Sequence, residues 1–451
     1  MKRIYALMII AITLTSCGED YLDKKSNKSL VIPRTLDDFQ ALLDNSQQVM
    51  NIVPGIGLIA SDESFMEDAA LQALYTSTER NSYTWEKNVY QGEEVSDWNV
   101  LYQQVFYANV VLKGLEDITP TTTNQVKWNT VKGIALFSRA HAFYQLVEIF
   151  TSPYEQSTAS QALGIPIRLS PDINAPAQRA TLEESYETII GDLKQAMTLL
   201  PTTAVSKTRP TTTTAKALLA RIYLSMHKYA EAESYADLAW KENNYLLDYN
   251  DLDQTSYAPI PFMNEETQYY ATLITYSYVI STATYIDTLL LAKYQDGDLR
   301  KDLFFQYVAD NRYFFKGSYT GSWQVFGGIA NDEVLLIRAE CRARNGNTSG
   351  ALDDLNTLME KRWKTGIFSP VTETAQEPLL KLILEERQKE LIFRNTRWSD
   401  LRRLNKEDRF AITLKRSVGG TLHTLLPNDL RYTFPIPDAE IRTTGMEQNP
   451  R

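Results

Sequence analysis

Two stretches of the chain share one pattern of small and large apolar residues, and this pattern constrains the fold more than any other feature. In ALLARIYLSMHKYAEAESYADLAW, alanines alternate with tyrosines: Ala220, Tyr223, Tyr229, Ala232, Tyr235 and Ala239. In LLIRAECRARNGNTSGALDDLNTLMEKR, Ala339 and Ala351 stand at equivalent offsets around a turn at Gly346. Small residues let two antiparallel helices approach closely, while tyrosines fill the gaps. Both stretches are therefore predicted to be helical hairpins of an internal repeat.

Three further segments show the apolar periodicity of amphipathic helices. The first covers 98–118 and the second covers about 126–150. The third covers 181–200 and begins with TLEE, in which Thr181 and Glu184 are placed to form a capping box. The predicted fold class is mainly α, with tetratricopeptide-repeat-like hairpins that form a superhelical scaffold.

The composition changes in 245–326, where 19 of 82 residues are aromatic, about twice the 11% of the whole chain. Its segment 268–280, QYYATLITYSYVI, is rich in β-branched and aromatic residues, as a short strand would be. We expect a loop-rich insertion with minor β structure at about 245–328, between helical repeats at about 98–245 and 330–405. An irregular segment, 406–451, is expected to complete a single domain that spans 17–451.

The N-terminus has the layout of a secretory signal peptide. Lys2 and Arg3 precede an apolar core, IYALMIIAITL, which is too short to span a bilayer. LTSC, ending at Cys17, resembles the lipobox of bacterial lipoproteins, which implies cleavage of residues 1–16 and a lipid anchor on Cys17. The alternative is an ordinary signal peptide in which this cysteine is incidental. Acyl chains on Cys17 would hold the protein at a membrane surface.

The net charge limits which partners the protein can bind, and the cysteine content limits whether disulfide bonds can stabilise it. The formal net charge is −10, and this acidic balance argues against a nucleic-acid backbone as partner. Cys341 is the second of two cysteines, so an acylated Cys17 leaves no intramolecular disulfide. We interpret Cys341 as a small core residue, because it lies on the inner side of a repeat helix.

The sequence shows no recognisable catalytic motif. It has three histidines and no HExxH, GxSxG or CxxC pattern, so metal chemistry and triad hydrolysis lack their usual residues. No catalytic residue, metal or cofactor is therefore predicted. A glycosidase needs two carboxylates at a set separation, which a sequence with 56 acidic residues neither shows nor excludes.

The segment EERQKELIFRNTRWSDLRRL concentrates charged residues between Glu386 and Arg403. Arginine forks bind carboxylates, so one hypothesis is a site for an anion or an acidic sugar. The favoured interpretation is a salt-bridge network at helix ends, because several of the charges fall at helical spacing.

The order of short motifs along the mature chain resembles that of the SusD/RagB family of Bacteroidetes outer-membrane nutrient-binding lipoproteins. The motifs are CGEDYLD, SDE (61–63), WNVLYQQVFYANVVL, VKGIALFSRAHAFYQLVEIF, LGIPIRLS, RATLEESYETIIGDLKQAMTLLP, RPTTTTAKALLARIYL, DGDLR, EVLLIRAE, EERQKELIFRNTRWSDLRRL and FPIPDAEI followed by QNP. The resemblance implies a helical scaffold, a lid-like position on a SusC-like TonB-dependent transporter, and capture of a glycan or peptide at the cell surface.

Exposed aromatic rings with nearby hydrogen-bonding groups suit either ligand. The candidate ligand-binding residues, six aromatics and one carboxylate, are Tyr83, Trp85, Tyr276, Tyr278, Tyr319, Trp323 and Asp62. The alternative for each aromatic is a place in the core, since aromatic residues mostly bury area. The predicted function is therefore non-catalytic nutrient capture. A surface glycan hydrolase with paired carboxylates and a repeat scaffold that binds only proteins remain as alternatives.

Overall fold

A computed structural model of the chain describes residues 33–451. The predicted signal peptide and the predicted anchor Cys17 lie outside these residues. Within the described range, no helix combines the length and the apolar composition that a membrane crossing requires.

Helices dominate the described structure. In chain order the α-helices are α1 (Leu36–Leu43), α2 (Ile56–Ala60), α3 (Asp68–Gln72), α4 (Ser77–Tyr83), α5 (Ser96–Gly114), α6 (Gln125–Phe150), α7 (Leu182–Leu199), α8 (Thr212–Ser225), α9 (Tyr229–Glu242), α10 (Ser277–Ile280), α11 (Thr288–Leu291), α12 (Arg300–Phe304), α13 (Asn331–Arg344), α14 (Thr348–Glu360), α15 (Gln376–Glu390), α16 (Arg397–Leu404) and α17 (Asp438–Thr444). The helices predicted at 98–118, 126–150 and 181–200 are confirmed as α5, α6 and α7.

The strands are short and form two-stranded sheets. They are β1 (Ile52–Val53), β2 (Ser64–Met66), β3 (Leu163–Pro166), β4 (Arg179–Thr181), β5 (Thr267–Tyr269), β6 (Thr272–Leu273), β7 (Thr284–Ile286), β8 (Phe305–Tyr307), β9 (Tyr313–Phe315), β10 (Ile329–Ala330), β11 (Leu414–Val418) and β12 (Thr421–Leu425). The β1–β6 pair is parallel, whereas β2–β7, β3–β4, β5–β10, β8–β9 and β11–β12 are antiparallel.

The long helices form one continuous layer. α5 packs on α6, α6 on α7, α7 on α8 and α8 on α9, and α9 then packs directly on α13. The two stretches that share the alanine pattern are therefore neighbours in space, although about ninety residues separate them along the chain. The segment between them is an insertion held against a helical frame, as the composition predicts.

Local sequence explains how the predicted hairpins form. The Thr181 hydroxyl accepts a hydrogen bond from the Glu184 backbone N–H, and the Glu184 carboxylate accepts one from the Thr181 N–H, so the predicted capping box is confirmed. The α8–α9 turn places His227 at a φ of 59°, and the α13–α14 turn places Gly346 at a φ of 85°. Ala232 and Ala351 are fully buried at the helix contacts. Close approach at small residues therefore sets the helix spacing.

Two predictions within the irregular regions differ from the structure. The strand expected at 268–280 is wrong in extent, because the chain changes partner within it: β5 pairs with β10, β6 pairs with β1, and α10 follows. The C-terminal segment 406–451 is more regular than expected, since β11 and β12 form a hairpin with five residues in each strand and α17 follows. Short-range composition does not specify these partners, which come from distant parts of the chain.

The C-terminal part of the chain covers the N-terminal part of the core and is hydrogen-bonded to it. The Arg416 guanidinium donates hydrogen bonds to the backbone carbonyls of Ile59, Ser61 and Tyr83. The Tyr90 hydroxyl donates to the Pro435 carbonyl at 2.9 Å. These contacts join residues more than 300 positions apart and leave the buried carbonyls hydrogen-bonded.

The charged segment 385–404 forms a buried salt-bridge network, which confirms the favoured interpretation. Most of its partners lie on other elements rather than one helical turn away. Arg403 binds both oxygens of Glu340 on α13 at 2.6 and 2.8 Å, and Arg387 binds Asp400 at 2.9 Å. The network therefore ties α15 and α16 to the repeat helices.

A second part of this network joins the insertion to the scaffold. Arg362, fully buried after α14, donates to Glu390 on α15 at 2.6 Å and to Glu266 of the insertion at 2.7 Å. Arg300 on α12 binds Glu386, Glu390 and Asp298. Each of these four carboxylates thus has an arginine partner, which is the condition for burying charge without a large desolvation cost.

Arg362→Met is expected to destabilise the fold strongly, because it leaves Glu266 and Glu390 buried without this guanidinium. Removing one partner of a buried pair costs about 3–5 kcal/mol. The matched control is Arg409→Met, since Arg409 is 45% exposed and pairs with Glu377 and Glu407 at the surface. Exposed pairs contribute about 0–1 kcal/mol. Urea unfolding measures both variants, and equal losses would contradict the structural role of the buried network.

His141 on α6 is a buried neutral imidazole. Its ring stacks on Phe137 with a centroid distance of 5.9 Å, meets the Tyr269 ring edge to face at 5.5 Å, and lies 3.3 Å from the Gln145 amide. Burial, together with the nearby Arg221 charge, lowers the pKa of His141 to about 3. The unfolded chain binds a proton at this residue below its ordinary value of 6.5, whereas the folded chain does not.

Folding stability is therefore lost at His141 as pH falls from 6.5 towards 3. We expect the wild-type chain to lose on the order of 2 kcal/mol between pH 7 and pH 5 relative to a His141→Phe variant. Urea unfolding of both proteins at half-unit pH steps measures this difference. Parallel stability curves across that window would show that His141 is protonated in the folded protein.

Candidate functional site

Five of the six aromatic residues predicted to bind ligand are buried. Tyr83, Trp85, Tyr276, Tyr278 and Tyr319 are each less than 10% exposed. A ring with no free face cannot stack on a ligand, so the structure corrects the prediction for these five and favours the alternative that they belong to the core.

Tyr83 and Trp85 form part of the closure around Arg416. The guanidinium carbon of Arg416 lies 3.8 Å from the Tyr83 ring centroid and 4.8 Å from that of Trp85. The Trp85 indole N–H donates to the Ala60 carbonyl at 2.9 Å. Both rings therefore anchor the segment after α4 to the core.

The other three buried tyrosines use their hydroxyl groups inside the protein. Tyr276 donates to Asp97 at the start of α5, and the Tyr278 hydroxyl lies 3.0 Å from that of Ser64. The Tyr319 hydroxyl donates to Glu266, at 3.2 Å. These hydrogen bonds satisfy buried polar groups and give the three residues a structural role.

Asp62 of the SDE motif is engaged by the scaffold. Both of its carboxylate oxygens accept hydrogen bonds from Arg397, at 2.6 and 2.7 Å. Burial alone would raise the pKa of Asp62, but Arg397 outweighs this effect and lowers it. Burial and the Asp62 charge raise the pKa of the adjacent Glu63 to about 8. The motif therefore links the N-terminal segment to α16, and its prediction as a ligand contact has no support from this geometry.

Trp323 is the predicted site residue that remains accessible, with 54% of its surface exposed. It borders a small depression of about 30 Å³ lined by Tyr257, Thr282, Phe314 and Ser322. We call this feature the Trp323 depression. The Thr320 hydroxyl donates to the Gln324 carbonyl at 2.7 Å and lies 3.1 Å from the Ser322 carbonyl, and these contacts hold the turn that carries the indole.

A row of partly exposed aromatic rings, which was not predicted, lies on the insertion and on β2, which pairs with it. Phe65 on β2 and Tyr285 on β7 form a cross-strand pair with centroids 5.7 Å apart, and the Arg312 guanidinium lies 5.6 Å from the Tyr285 centroid. Tyr313, next to Arg312, packs on Tyr307 of β8 at 5.3 Å. We call these four aromatic residues, together with Arg312, the outer aromatic row.

Strand alternation places this row outside the core. In β2 and β7 the residues on either side of Phe65 and Tyr285 are buried, whereas these two rings face outward. The signal in the sequence is a three-residue alternation, which is too short to separate a strand from a loop. Thr284 and Phe314 line the Trp323 depression and adjoin Tyr285 and Tyr313 in the chain, so β7 and β9 contribute to both features.

The charges beside the outer aromatic row are paired. Arg312 binds Glu67 and also approaches Asp310 at 3.4 Å. The Lys316 ammonium under the depression donates to the Gln254 and Ser256 carbonyls at 2.8 and 3.1 Å, and burial lowers its pKa. The surface therefore offers neutral rings and hydroxyls, with one guanidinium whose charge is compensated.

One cluster of carboxylates resembles a metal-binding group in its spacing. Oxygens of Glu266, Asp332 and Glu390 lie within 4.8 Å of one another and are buried. Arg362 binds Glu266 and Glu390, and Arg394 binds Asp332 at 3.0 Å. Because these guanidinium groups already neutralise the carboxylates, the cluster fits an ion-pair network and not a cation site.

Two family models match the chain on either side of the insertion. Residues 20–224 match the model described as "Starch-binding associating with outer membrane", and residues 332–451 match the model described as "SusD family". Together the two models cover more than two thirds of the sequence, one in its N-terminal half and the other at its C-terminal end. The chain belongs to the SusD/RagB family.

Individual relatives agree with this assignment. SusD-like protein P2 of Formosa agariphila is 27% identical over 342 residues, which are 62% of this chain and 66% of the relative. A structure described as a putative sugar binding protein from Bacteroides vulgatus has a TM-score of 0.76 at 22% identity and covers 93% of this chain and 99% of its own. A SusD superfamily structure from Bacteroides thetaiotaomicron has a TM-score of 0.74 at 23% identity, with coverage of 92% and 100%. These likenesses confirm the predicted fold class.

The unmatched segment between the two family models is 225–331, and it contains most of the candidate site. Tyr285, Tyr307, Tyr313 and Trp323 all lie within it. The SusD/RagB scaffold is thus recognised from its helices, whereas the surface that carries the exposed rings belongs to the part of the sequence that the family models leave out.

Trp85→Ala and Trp323→Ala are expected to differ in their effect on the free energy of unfolding, because Trp85 is a core residue and Trp323 is a surface residue. Trp85→Ala removes a buried ring that contacts Arg416 and Ala60, and such changes cost about 3–5 kcal/mol. Trp323→Ala removes a half-exposed ring and is expected to change the free energy of unfolding by less than about 1 kcal/mol. Chemical denaturation measures both variants. A large loss for Trp323→Ala would place that indole in the core.

Proposed function

We propose that this protein is a non-catalytic cell-surface lipoprotein that captures a glycan and delivers it to a SusC-like TonB-dependent outer-membrane transporter. Cys17 would carry the lipid anchor in the outer membrane. The proposal is supported by the family descriptions, which name starch binding and association with the outer membrane, and by the relative described as a sugar binding protein.

The outer aromatic row is the observation that carries the proposal. Sugar rings present apolar C–H faces that pack on aromatic rings, while their hydroxyls bind polar groups at the edges. Phe65, Tyr285 and Tyr307 each present a partly exposed ring in this row, and the Arg312 guanidinium lies beside the Tyr285 ring. Trp323 adds a further ring beside strands that the row shares. A linear or branched oligosaccharide is therefore a better match than a compact ligand.

The charges near the row favour binding over hydrolysis. A glycoside hydrolase needs one protonated carboxylic acid and one ionised carboxylate across the scissile bond. Glu67 and Asp310, the acidic side chains that contact Arg312, are both held by that guanidinium. They are accordingly engaged in an ion-pair arrangement and do not form an opposed acid and base.

Binding of soluble glycans tests the ligand class. The mature chain with Cys17→Ser is screened by affinity electrophoresis and calorimetry against starch, other polysaccharides, oligosaccharides and peptide digests, with chromatography of the ligand afterwards. We expect a glycan to bind and to be recovered intact. Shortened products would support the hydrolase alternative. Binding to peptides alone would show that the ligand is a peptide and not a glycan.

Single substitutions test the surface. Tyr285→Ala and Trp323→Ala are each expected to weaken glycan binding about fivefold, since an aromatic contact is worth about 1 kcal/mol. Tyr245→Ala is the control, because Tyr245 is 46% exposed beyond the end of α9 and belongs to neither feature. Unchanged affinity in both test variants would show that the glycan does not bind at this surface.

Recovery of a partner tests delivery. The lipidated wild-type chain is isolated from outer membranes of its host in mild detergent, beside the Cys17→Ser variant. We expect a TonB-dependent barrel to copurify with the lipidated chain. Copurification of other proteins with no barrel would support the alternative of a protein-binding scaffold.

A further inference from the structure

A second concavity lies on the helical scaffold, away from the aromatic insertion. It has a volume of about 320 Å³ and runs along α5, between the loop that follows β3 and the region of α17. The residues that define it are Trp98, Tyr102, Phe106, Arg168, Ile173 and Met446. We call it the α5 groove. It shares no lining residue with the Trp323 depression.

The floor of the α5 groove is a line of aromatic rings on one helix face. Trp98, Tyr102 and Phe106 are four residues apart, so successive rings are displaced by roughly 6 Å along the axis. The Trp98 ring packs on Tyr102 with a centroid distance of 4.7 Å and meets Phe150 edge to face at 5.0 Å. Phe106 is 36% exposed at the mouth. Trp98 is buried, with 3% of its surface exposed, so it supports Tyr102, and the ring faces open to a ligand are those of Tyr102 and Phe106.

Hydrogen bonds from α5 hold the opposite wall in place. The Tyr102 hydroxyl donates to the Pro166 carbonyl at 2.9 Å, and the Asn109 amide donates to the Arg168 carbonyl at 2.8 Å. Asn109 in turn accepts from Arg139 on α6 at 2.9 Å. The groove is thus formed in the free protein, which lowers the entropic cost of binding a ligand.

The polar groups at the rim are available to a ligand. Among residues 33–451, the Arg168 guanidinium makes one long hydrogen bond, 3.4 Å to the Ala175 carbonyl, and no ion pair. Within the same range, the Glu440 carboxylate takes part in no ion pair, and Asn99 beside it in the lining is exposed. This contrasts with the core network, in which arginines and carboxylates are closely paired.

These features select the ligand class. Aromatic rings suit the C–H face of a sugar, while a guanidinium, a carboxylate and an amide suit its hydroxyls, which both donate and accept. An anion would meet Glu440 and Asp172, and a purely apolar ligand would cover Arg168 and Glu440 without replacing their hydrogen bonds. The volume lies at the lower end of small-ligand pockets.

We propose that the α5 groove is a second saccharide-binding site, which takes one or two neutral sugar units. The assignment rests on the proposed function for its ligand class, whereas its location rests on the groove alone. Two sites on separate elements would let one polysaccharide chain be held at two points, which raises its apparent affinity through effective concentration.

The test uses the indole N–H signals of the seven tryptophans. The mature chain with Cys17→Ser is labelled with 15N-tryptophan, and the Trp98 and Trp323 signals are assigned from Trp98→Phe and Trp323→Ala variants. Maltose, cellobiose and xylobiose are titrated separately. We expect at least one disaccharide to shift the Trp98 signal saturably, both in the wild-type chain and in a Tyr285→Ala/Trp323→Ala variant.

Groove variants complete the test. Phe106→Ala and Glu440→Gln are expected to weaken the Trp98 response about tenfold, whereas Leu238→Ala, an exposed position on α9, leaves it unchanged. A Trp323 response without a Trp98 response overturns the second site and keeps the proposed function. A Trp98 response without a Trp323 response supports the second site and contradicts the surface proposed for capture. No response at either signal with any of the three sugars overturns the second site.

Discussion

Arg362 lies fully buried between Glu390 of the scaffold and Glu266 of the insertion, and the placement of the aromatic surface depends on this pair of contacts. The ring of Tyr249, 4.0 Å from its guanidinium carbon, covers the remaining face. Burial, and then the neighbouring Asp332 and Glu390 charges, raise the pKa of Glu266 to about 8 despite this arginine. A charged group that must be matched so closely fixes the insertion in one position, because sliding it would leave carboxylates unpaired in a low-dielectric interior.

This arrangement divides the molecule into a frame and a surface. The frame is a layer of helices whose spacing is set by alanines, and it is recognised as SusD/RagB from sequence. The surface is built from short two-stranded sheets. α5 belongs to both categories, since one side of this helix packs in the core while Phe106 opens towards the groove. Rigid helices can therefore carry a binding surface as well as support one.

The parts of the fold that local sequence specifies were predicted, and the parts that distant residues specify were not. The capping box at Thr181 involves residues three apart, so the sequence contains all its information. Trp85 and Tyr83 are buried because Arg416, more than 300 residues later, covers their rings, and no local pattern indicates this. Tyr285 was missed because its outward direction depends on pairing with β2. Exposure of an aromatic residue is thus a tertiary property, whereas helix position is largely a local one.

Closure of the N-terminal core by the C-terminal hairpin has a consequence for the order of folding. Contacts such as Tyr90 to Pro435 and Arg416 to Ser61 span 345 and 355 residues, so the first part of the core stays open until nearly the whole chain has been synthesised. Pairing over such separations is slow, and the waiting segments expose rings that later become interior. Loss of the last fifty residues would therefore leave the Tyr83 and Trp85 rings and the Tyr90 hydroxyl without their partners, so a late truncation damages the beginning of the protein as well as its end.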